Sequence, residues 1–537
     1  MSLELAFHGA AGAVTGSCME LRTRDHHILV DCGLFQGTRS LEALNYEDLP
    51  FDPRDIDLIL LTHAHLDHSG RLPLLYRLGC RASIWCTPPN RQILGPLLTD
   101  AAKLQAADAE RRNDRPDRAG MAPFEPLYGF EDVARVVEHV ESLDYGKWAE
   151  PLTGVSIRLW DAHHILGAAS IELHVEEQAL LFSGDIGPGA GQVEGPIPPP
   201  GGWDHVVCEA TYGDRDRRIP TPDERRTLLA RAVKDGLSRG GNLVIPAFAL
   251  ERTQIVIEDL VACFDSGRLT PAPVYVDAPL ADKVTQAYRR FAPAPRRGAS
   301  PFDHPQVHFT RNIDESKALN RISGAILIAG SGMCNGGRVR YHLLRNLPRA
   351  DSTVLLVGFQ ASGTLGAVLQ QGAHAVRISG TDVPVRARIE TLDAYSAHAD
   401  HDGLLRWLAR RAPIGGSLFL DHGEPASLAR LARDAGSLAG IPAAIIPALG
   451  EAFHLEPKGT AARSAGPRDD AAALVAGTDW RNRHAALRAS LDRQLQDLPD
   501  DEARSQALDM VERALAEAAR RRLSDARPSA VAATGAN

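Results

Sequence analysis

The chain has 537 residues, 44% of them hydrophobic and 24% charged, with 59 basic and 68 acidic side chains and therefore a net charge of -9. This composition excludes a disordered or fibrous protein, and the acidic balance excludes attraction of a polyanion by overall charge. We find no apolar run of membrane-spanning length and no secretion signal in MSLELAFHGAAGAVTG, and we therefore expect a cytoplasmic protein.

The length favours two or three domains, one of which can be inserted in another. The cysteines are odd in number, scattered, and without a C-x-x-C pair, so neither a disulfide framework nor a cysteine zinc site is indicated. We interpret them as small buried apolar residues. They are Cys18, Cys32, Cys80, Cys86, Cys208, Cys263 and Cys334.

Short β-type runs open the chain. They are LELAFHG, SCMELRT, HHILVDCG and DLILLTHAH, and their spacing and flanking Gly and Asp predict sheet packed on sheet. A charged helical region follows from about residue 91. Strands then return as VSIRLWDAHH, SIELHVE, ALLFSGD and HVVCEATYG.

The pattern of predicted secondary structure changes after Glu209, where strands alternate with helices up to about residue 380. Such alternation is typical of βαβ units in a parallel sheet. Beyond that region, VRARIETLDAYSAHAD and GSLFLDHGEP again resemble the short β-type runs of the first part of the chain. The pattern predicts an α/β protein with a parallel-sheet domain inserted into the first domain.

The C-terminal tail differs again. PKGTAARSAGPRDD is linker-like, and apolar residues at helical spacing then predict two helical stretches. A hairpin packed on the body, a homodimer contact and a partner-docking element all fit this tail. The apolar residues are Leu487, Leu491, Leu495 and Leu498 in the first stretch and Leu508, Val511, Leu515 and Leu523 in the second.

Four ligand-type side chains crowd the end of one predicted strand, in LILLTHAHLDHSGRLPLL. They are His63, His65, Asp67 and His68. Imidazole and carboxylate are the nitrogen and oxygen donors that zinc prefers. Because a strand alternates sides, we expect His63 and His65 to face one point, with Asp67 and His68 facing a neighbouring one after the turn. The pattern predicts two metal centres.

THAHLDHSG resembles the H-x-H-x-D-H signature of the metallo-β-lactamase superfamily. Further stretches resemble that superfamily's later motifs in the expected order. They are HILVDCG with Asp31, DAHHILGAAS with His164, and LLFSGDIG with Asp185. The motif alignment favours His164 over its neighbour His163, which would stand at the rim.

The resemblance is closest to the β-CASP branch, the nucleases related to the polyadenylation-factor endonuclease and its bacterial and archaeal homologues. CEATYGDR with Glu209, AYSAHAD with His398 and LDHGEP with His422 are similar to the motifs of that branch. The likeness extends over about residues 3 to 455.

For the fold, the resemblance implies the αββα sandwich of metallo-β-lactamases, with an inserted β-CASP domain and a helical C-terminal tail. We expect the sandwich domain at 1–209 and 383–456, the inserted domain at 210–382, and a linker with a helical extension at 457–537.

For the chemistry, the resemblance implies two Zn²⁺ ions that activate a water for attack on phosphorus. Asp67 would accept the proton of this water. His398, held by Glu209, would act as general acid, and Asp31 would support a metal histidine. The implied metal ligands are His63, His65 and His164 for one ion and Asp67, His68 and His422 for the other, with Asp185 bridging them.

His422 also resembles the RNA-directed pattern, since DNA-directed relatives usually carry valine at that motif. The inserted domain would then form one wall of a cleft that admits single-stranded RNA. Predicted RNA contacts are Arg215, Arg252 and Arg338 with Gly332, Gly336 and Gly337 of SGMCNGGR, and further candidates are Arg217, Arg218, Arg311 and Arg340.

The predicted function is that of a di-zinc ribonuclease that hydrolyses single-stranded RNA in RNA processing or degradation, as an endonuclease, a 5′-to-3′ exonuclease or both. Two alternatives stay open. One is a small-molecule metallo-hydrolase of thioesterase or lactamase type, and the other is a non-catalytic RNA-processing subunit.

Overall fold

The computed structural model divides the chain into two compact units, Met1–Gly477 and Thr478–Asn537. All seven cysteines are buried and free, as the sequence predicts. Among the helices described, none is both long and apolar enough to cross a bilayer. The structure describes residues 3–114, 121–188, 196–218, 220–292, 300–358, 360, 364–471, 474, 491 and 494–525.

One mixed sheet of eight strands joins the two ends of the first unit. Its strands are β1 (Leu3–Phe7), β2 (Met19–Arg22), β3 (His27–Val30), β4 (Leu58–Leu60), β5 (Ser83–Cys86), β6 (Val140–Ser142), β22 (Ala452–Leu455) and β23 (Ala462–Ala465). The order is β23-β22-β1-β2-β3-β4-β5-β6, antiparallel as far as β3 and parallel from β3 to β6. The C-terminal strands therefore pair with the N-terminal one.

A second sheet of seven strands has the order β21-β20-β11-β10-β9-β8-β7. It packs face to face on the first sheet, and the rings of Phe7 and Phe419 meet across the interface at 5.4 Å between centroids. Its strands are β7 (Trp148–Leu152), β8 (Val155–Asp161), β9 (Ala169–Val175), β10 (Gln178–Phe182), β11 (Trp203–Glu209), β20 (Ile414–Asp421) and β21 (Ala444–Ile445).

Helices cover both outer faces of this pair of sheets. Apolar residues of α3, α4 and α5 pack on the first sheet, and those of α12 and α13 pack on the second. The αββα sandwich is thereby confirmed. The helices of this part are α1 (Arg39–Ala43), α2 (Leu66–Ser69), α3 (Leu72–Arg77), α4 (Pro88–Asn113), α5 (Phe130–Glu138), α12 (His401–Ala409) and α13 (Pro425–Ala435).

The predicted inserted sheet is present and entirely parallel, in the order β14-β13-β15-β12-β16-β19. The central strands β12 and β15 are continuous apolar runs because helices cover both faces of the sheet. The strands are β12 (Leu243–Pro246), β13 (Val274–Asp277), β14 (Val307–Phe309), β15 (Ile326–Ala329), β16 (Thr353–Leu356) and β19 (Arg388–Thr391), beside a hairpin of β17 (Ala375–Ile378) and β18 (Thr381–Pro384).

The first helix of this insertion shows how local sequence fixes its start. Thr221 and Glu224 form a reciprocal capping box, with backbone-to-side-chain hydrogen bonds of 2.9 and 3.3 Å, and Pro222 follows the cap. The helices here are α6 (Pro222–Leu237), α7 (Arg252–Asp265), α8 (Pro279–Phe291), α9 (Ile313–Ala318), α10 (Val339–Asn346) and α11 (Leu365–Gln370).

Two segments differ from the prediction. The parallel sheet continues past residue 382, because β19 pairs with β16 at its edge. The strand sequence RIET is half charged, as sheet edges are, so it shows no apolar run. The predicted linker at 457 also contains β23, which pairs with β22 through backbone groups alone, although its side chains are all exposed.

In the second unit, α14 (Asp501–Asp525) confirms the second helical stretch of the tail. Of the first stretch, residues 491 and 494–496 are helical. Leu487 lies outside the described residues.

Candidate metal centre

The ends of strands from both sheets place the predicted metal ligands around one point. β4 ends at Leu60 because the backbone N–H of Thr62 donates to the side chain of Asp31 at 2.8 Å instead of continuing the ladder. The expectation that His63 and His65 share the face of one strand is therefore wrong. Both lie in the loop after β4, and their ring nitrogens Nε2 and Nδ1 still approach to 3.1 Å.

The first group comprises His63, His65, His164 and Asp185, whose ligand atoms all lie within 4.8 Å of one another. Nε2 of His164 lies 3.3 Å from Nδ1 of His65. Oδ2 of Asp185 lies 3.6 Å from Nε2 of His63 and 3.5 Å from that of His164. His163 is absent from the group, and its Nδ1 instead faces Oδ2 of Asp161 at 3.3 Å.

The second group comprises Asp67, His68 and His422. The Nε2 atoms of the two histidines are 3.2 Å apart, and Oδ2 of Asp67 lies 3.9 Å from Nε2 of His422. The other carboxylate oxygen of Asp185, Oδ1, lies 3.3 Å from Nε2 of His68 and 3.6 Å from Nδ1 of His422. Asp185 therefore touches both groups, one oxygen to each.

The charge states of these side chains suit metal binding. Burial lowers the pKa of His63, His65 and His164, that of His65 to about 3, so all three imidazoles are neutral with free lone pairs. Burial alone would raise the pKa of Asp185, but the surrounding histidines hold it well below its usual range. Oδ1 of Asp185 is buried and makes no hydrogen bond of good geometry, although His68 is near. Burial alone would lower the pKa of His68, but Asp185 and Asp31 raise it well above its usual range, so a metal ion would displace a proton from this ring. Neutral imidazoles around a carboxylate of lowered pKa are donors that suit divalent cations.

Asp31 holds the His68 ring on the side away from the centre of the ligand cluster. It has a positive φ of 61° and accepts hydrogen bonds from the backbone and hydroxyl of Thr62, both at 2.8 Å. Its Oδ2 lies 2.7 Å from Nδ1 of His68, so it orients that ring and leaves Nε2 facing the centre.

Asp31→Asn is expected to lower zinc affinity by about 10- to 100-fold, because the amide cannot hold the His68 ring as a carboxylate does. Competition with a zinc-binding dye measures this change. Asp25→Asn, in an exposed loop, is the matched control and should leave the affinity unchanged. Equal affinities for Asp31→Asn and the wild type would contradict the assigned role.

Hydrogen bonds that the sequence did not predict orient two further candidate ligands. The carbonyl of Ala397 accepts from Nδ1 of His164 at 2.9 Å, and the hydroxyl of Thr211 lies 3.2 Å from Nδ1 of His422. Thr211 could have been suggested by its place beside Glu209. A backbone carbonyl such as that of Ala397 leaves no signal in the sequence.

A third group, Asp185, Glu209 and His398, adjoins the other two. Nδ1 of His398 lies 3.3 Å from Oε1 of Glu209, and its Nε2 lies 3.9 Å from Oδ2 of Asp185. The backbone N–H groups of Ile186 and Thr211 donate to Glu209 and hold it in place. Burial alone would lower the pKa of His398, but the two carboxylates raise it to about 9, so the ring is protonated at neutral pH.

Tyr212 was not predicted, although it lies in CEATYGDR. Its ring meets that of His398 edge to face at 5.6 Å between centroids. The guanidinium groups of Arg215 and Arg217 lie 4.8 and 5.1 Å from the centre of the same ring. Both predicted arginines therefore lie near the ring that contacts His398, and Arg217 also pairs with Asp393 at 3.3 Å.

The other predicted RNA contacts lie in the inserted domain. The guanidinium of Arg252 donates to the carbonyl of Val357 at 2.7 Å, and that of Arg338 donates to buried Asp277 at 2.6 Å. In the glycine-rich loop between β15 and α10, Gly337 has a φ of 66° and Gly332 packs against an aromatic ring. The RNA-binding role of Arg252, Arg338, Gly332, Gly336 and Gly337 stays a prediction.

Three family models match the chain. They are the metallo-beta-lactamase superfamily over 11–212, the Beta-Casp domain over 253–369, and the Zn-dependent metallo-hydrolase RNA specificity domain over 382–447. Together with the histidine and aspartate cluster, they support a metal cofactor.

Similar proteins come from bacteria and archaea. Ribonuclease TTHA0252 of Thermus thermophilus is 37% identical over 437 residues, which is 79% of this chain and 94% of that protein. Transcription termination factor FttA of Methanocaldococcus jannaschii is 27% identical over 442 residues, 79% of this chain and 67% of that protein. An RNase J-like protein of the same organism is 27% identical over 430 residues, 78% and 92% of the two chains.

A solved structure of a protein of unknown function from Enterococcus faecalis covers 85% of this chain and 100% of its own at 14% identity, with a TM-score of 0.47, a likeness too distant to carry an argument. The ordered matches to three family models and the similarity to ribonuclease TTHA0252 over most of both chains agree with the sandwich, the inserted parallel sheet and the clustered histidines. The chain therefore belongs to the β-CASP branch of the metallo-β-lactamase superfamily.

Proposed function

We propose that this protein is a ribonuclease that hydrolyses phosphodiester bonds of single-stranded RNA at a di-zinc centre. One observation carries the proposal. His398, paired with Glu209, stands 3.9 Å from the carboxylate of Asp185 that touches both groups of metal-type ligands. A protonated imidazole beside a di-metal centre suits a reaction that needs both a nucleophile and an acid.

When bound, two zinc ions would lower the pKa of a water and neutralise charge on the phosphate. His63, His65 and His164 would hold one ion and Asp67, His68 and His422 the other, with Asp185 between them. The Asp67 side chain is 23% exposed, so solvent reaches it and it would take the proton of the attacking water. This assignment leaves His398 free to act on the leaving group.

His398 would give its proton to the 3′-oxygen as the bond from that oxygen to phosphorus breaks. The products are then a 3′-hydroxyl on one fragment and a 5′-phosphate on the other, and His398 regains its proton from solvent. Glu209 keeps the ring protonated and oriented before each turnover. Arg215 and Arg217 would draw the anionic strand towards this side of the centre.

RNA is favoured over DNA by two observations. The RNA specificity domain model spans the segment that carries His398 and His422. The relative most similar among those described above is named a ribonuclease. Single strands are favoured because a strand must bring one phosphate down to a centre whose histidines are largely buried.

Purified full-length protein loaded with Zn²⁺ is expected to cleave labelled single-stranded RNA and to leave single-stranded DNA of the same sequence and a chromogenic ester intact. Chelation should stop the reaction and added Zn²⁺ should restore it. His174→Ala, an exposed histidine far along β9 from its metal end, is the control that keeps activity. A product ladder from end-labelled RNA distinguishes endonuclease from exonuclease action.

Two results would overturn the proposal. Hydrolysis of the ester alone would identify a small-molecule hydrolase. Failure to hydrolyse any substrate with both metals bound would identify a non-catalytic subunit.

A further inference from the structure

An aromatic side chain is exposed at the carboxyl edge of the inserted sheet. β12 ends at Pro246, and Phe248, two residues later, is 40% exposed, whereas Ala247 and Leu250 on either side are buried. The carboxyl edge is where open parallel sheets bind ligands. We infer that Phe248 is a stacking platform for one unpaired nucleobase of the bound RNA, an inference that rests on the proposed function.

The ring is held in place from one side. A Cβ atom added at Gly332 would lie 2.7 Å from Cδ2 of Phe248, so the ring contacts the backbone there and only glycine leaves it room. Nε2 of Gln360 donates to the carbonyls of Gly332 and Gly358 at 3.0 and 3.1 Å, which fixes that backbone. One part of the ring is therefore packed and the remainder is open.

The backbone of Phe248 is fixed as well. Its carbonyl accepts hydrogen bonds from the backbone and the hydroxyl of Thr253, at 3.2 and 2.7 Å, at the start of α7. A preoriented ring loses little conformational entropy when a flat ligand stacks on it. The fixed orientation of the Phe248 ring therefore suits recognition of a planar group.

The Phe248 loop packs against the segment that carries His164. Ala64, between two predicted metal histidines, belongs to the same buried cluster as Ala247 and Leu250. Glu251, at the end of the loop, accepts a hydrogen bond from the backbone of Leu166, two residues after His164, at 3.4 Å. A strand whose phosphate reaches the centre would then pass over this loop.

The phenyl ring of Phe248 suits a nucleobase better than a phosphate. A phosphate needs cationic or N–H donors, which a phenyl ring lacks. A nucleobase offers a flat π-face, and stacking on an aromatic side chain is tolerant of base identity.

The test replaces one base at a time in a single-stranded RNA by an abasic ribose. For wild-type protein, one position near the cleavage site should raise KM by about 5- to 100-fold, the range expected for one stacked base, with kcat little changed. Phe248→Ala should raise KM on intact RNA by a similar factor and should no longer discriminate against the abasic position. Phe248→Trp should restore both properties.

Phe130→Ala, which removes another exposed phenylalanine, 57% exposed at the start of α5, is the control and should behave as wild type. A binding measurement separates this inference from the proposed function. With 2-aminopurine at the sensitive position, RNA binding should quench the fluorescence of that base in the wild type and not in Phe248→Ala, whether or not the RNA is cleaved.

Identical abasic profiles for wild type and Phe248→Ala, or identical quenching, would overturn the inference while leaving the ribonuclease proposal intact. Quenching that depends on Phe248 without any RNA cleavage would overturn the ribonuclease proposal and leave the stacking site standing. Absence of RNA binding would overturn both.

Discussion

Asp185→Ala is expected to empty the metal centre and reduce RNA cleavage to background. Asp185 is the residue that both groups share, with Oδ2 at 3.5 to 3.6 Å from two histidines of one and Oδ1 at 3.3 to 3.6 Å from two of the other. Its loss would leave four buried imidazoles, the partly buried His65 and one partly exposed carboxylate, Asp67, around the two divalent ions of the proposed centre. The centre would then lack the anion that offsets their mutual repulsion.

Zinc affinity should fall by more than the roughly 10- to 100-fold that loss of a ligand's hydrogen-bond partner causes, because here a ligand itself is removed. Elemental analysis after dialysis measures the zinc content per chain, and RNA cleavage is followed in parallel. Asp265→Ala, whose carboxylate is 68% exposed, is the control and should retain wild-type zinc and activity. Full zinc content in Asp185→Ala would contradict the bridging role.

The sequence alone predicted the local half of this centre. Four ligand-type residues between His63 and His68 have few explanations other than metal, and their spacing is visible without any fold. The distant half, His164, Asp185 and His422, was predicted only through resemblance to a known family. Spacing cannot show that β20, more than 350 residues after His68, ends beside it, because sheet pairing over such distances depends on the whole fold.

Short strands were the weakest part of the fold prediction. β5 and β6 were not predicted, since each has only a few residues and alternates buried with partly exposed positions. The edge strand β19 was assigned to the wrong part of the chain because its alternate residues, Arg388 and Glu390, are charged. Central strands such as β12 and β15 were predicted, because burial on both faces demands continuous apolar runs.

Side-chain packing determines which of the predicted arginines lie near the candidate metal centre. Arg215 and Arg217 lie near the ring of Tyr212, which contacts His398, and Arg217 also pairs with Asp393. Arg218 instead pairs with Glu224 of α6. All three occur within four residues, so composition could not separate them. Tyr212 follows Glu209 by three residues in the sequence. Its contact with the two arginines, however, is visible only in the folded chain.

His398→Ala is expected to keep both metal ions yet slow RNA cleavage by roughly 10²- to 10⁴-fold, the usual contribution of a general acid. The ring of His398 is held by Glu209 at 3.3 Å, lies 3.9 Å from Asp185 and meets the ring of His164 at 4.5 Å between centroids. The substitution therefore removes a neighbour of the proposed ligands but none of the ligands. Zinc content and single-turnover rates measure the two effects separately. His374→Ala, an exposed histidine in the inserted domain, is the control.

The acid role itself is tested by the leaving group. An RNA in which sulfur replaces the 3′-oxygen at the scissile bond releases a thiolate, which needs no proton, so His398→Ala should cleave it nearly as fast as the wild type does. Because Glu209 and Asp185 overcome the effect of burial and raise the pKa of His398 to about 9, the acid form exists below that pH. Wild-type cleavage of ordinary RNA should therefore decline as pH rises through about 9, and the decline should vanish with the sulfur substrate. An undiminished rate of His398→Ala on ordinary RNA, or an equal defect on both substrates, would remove His398 from the acid step.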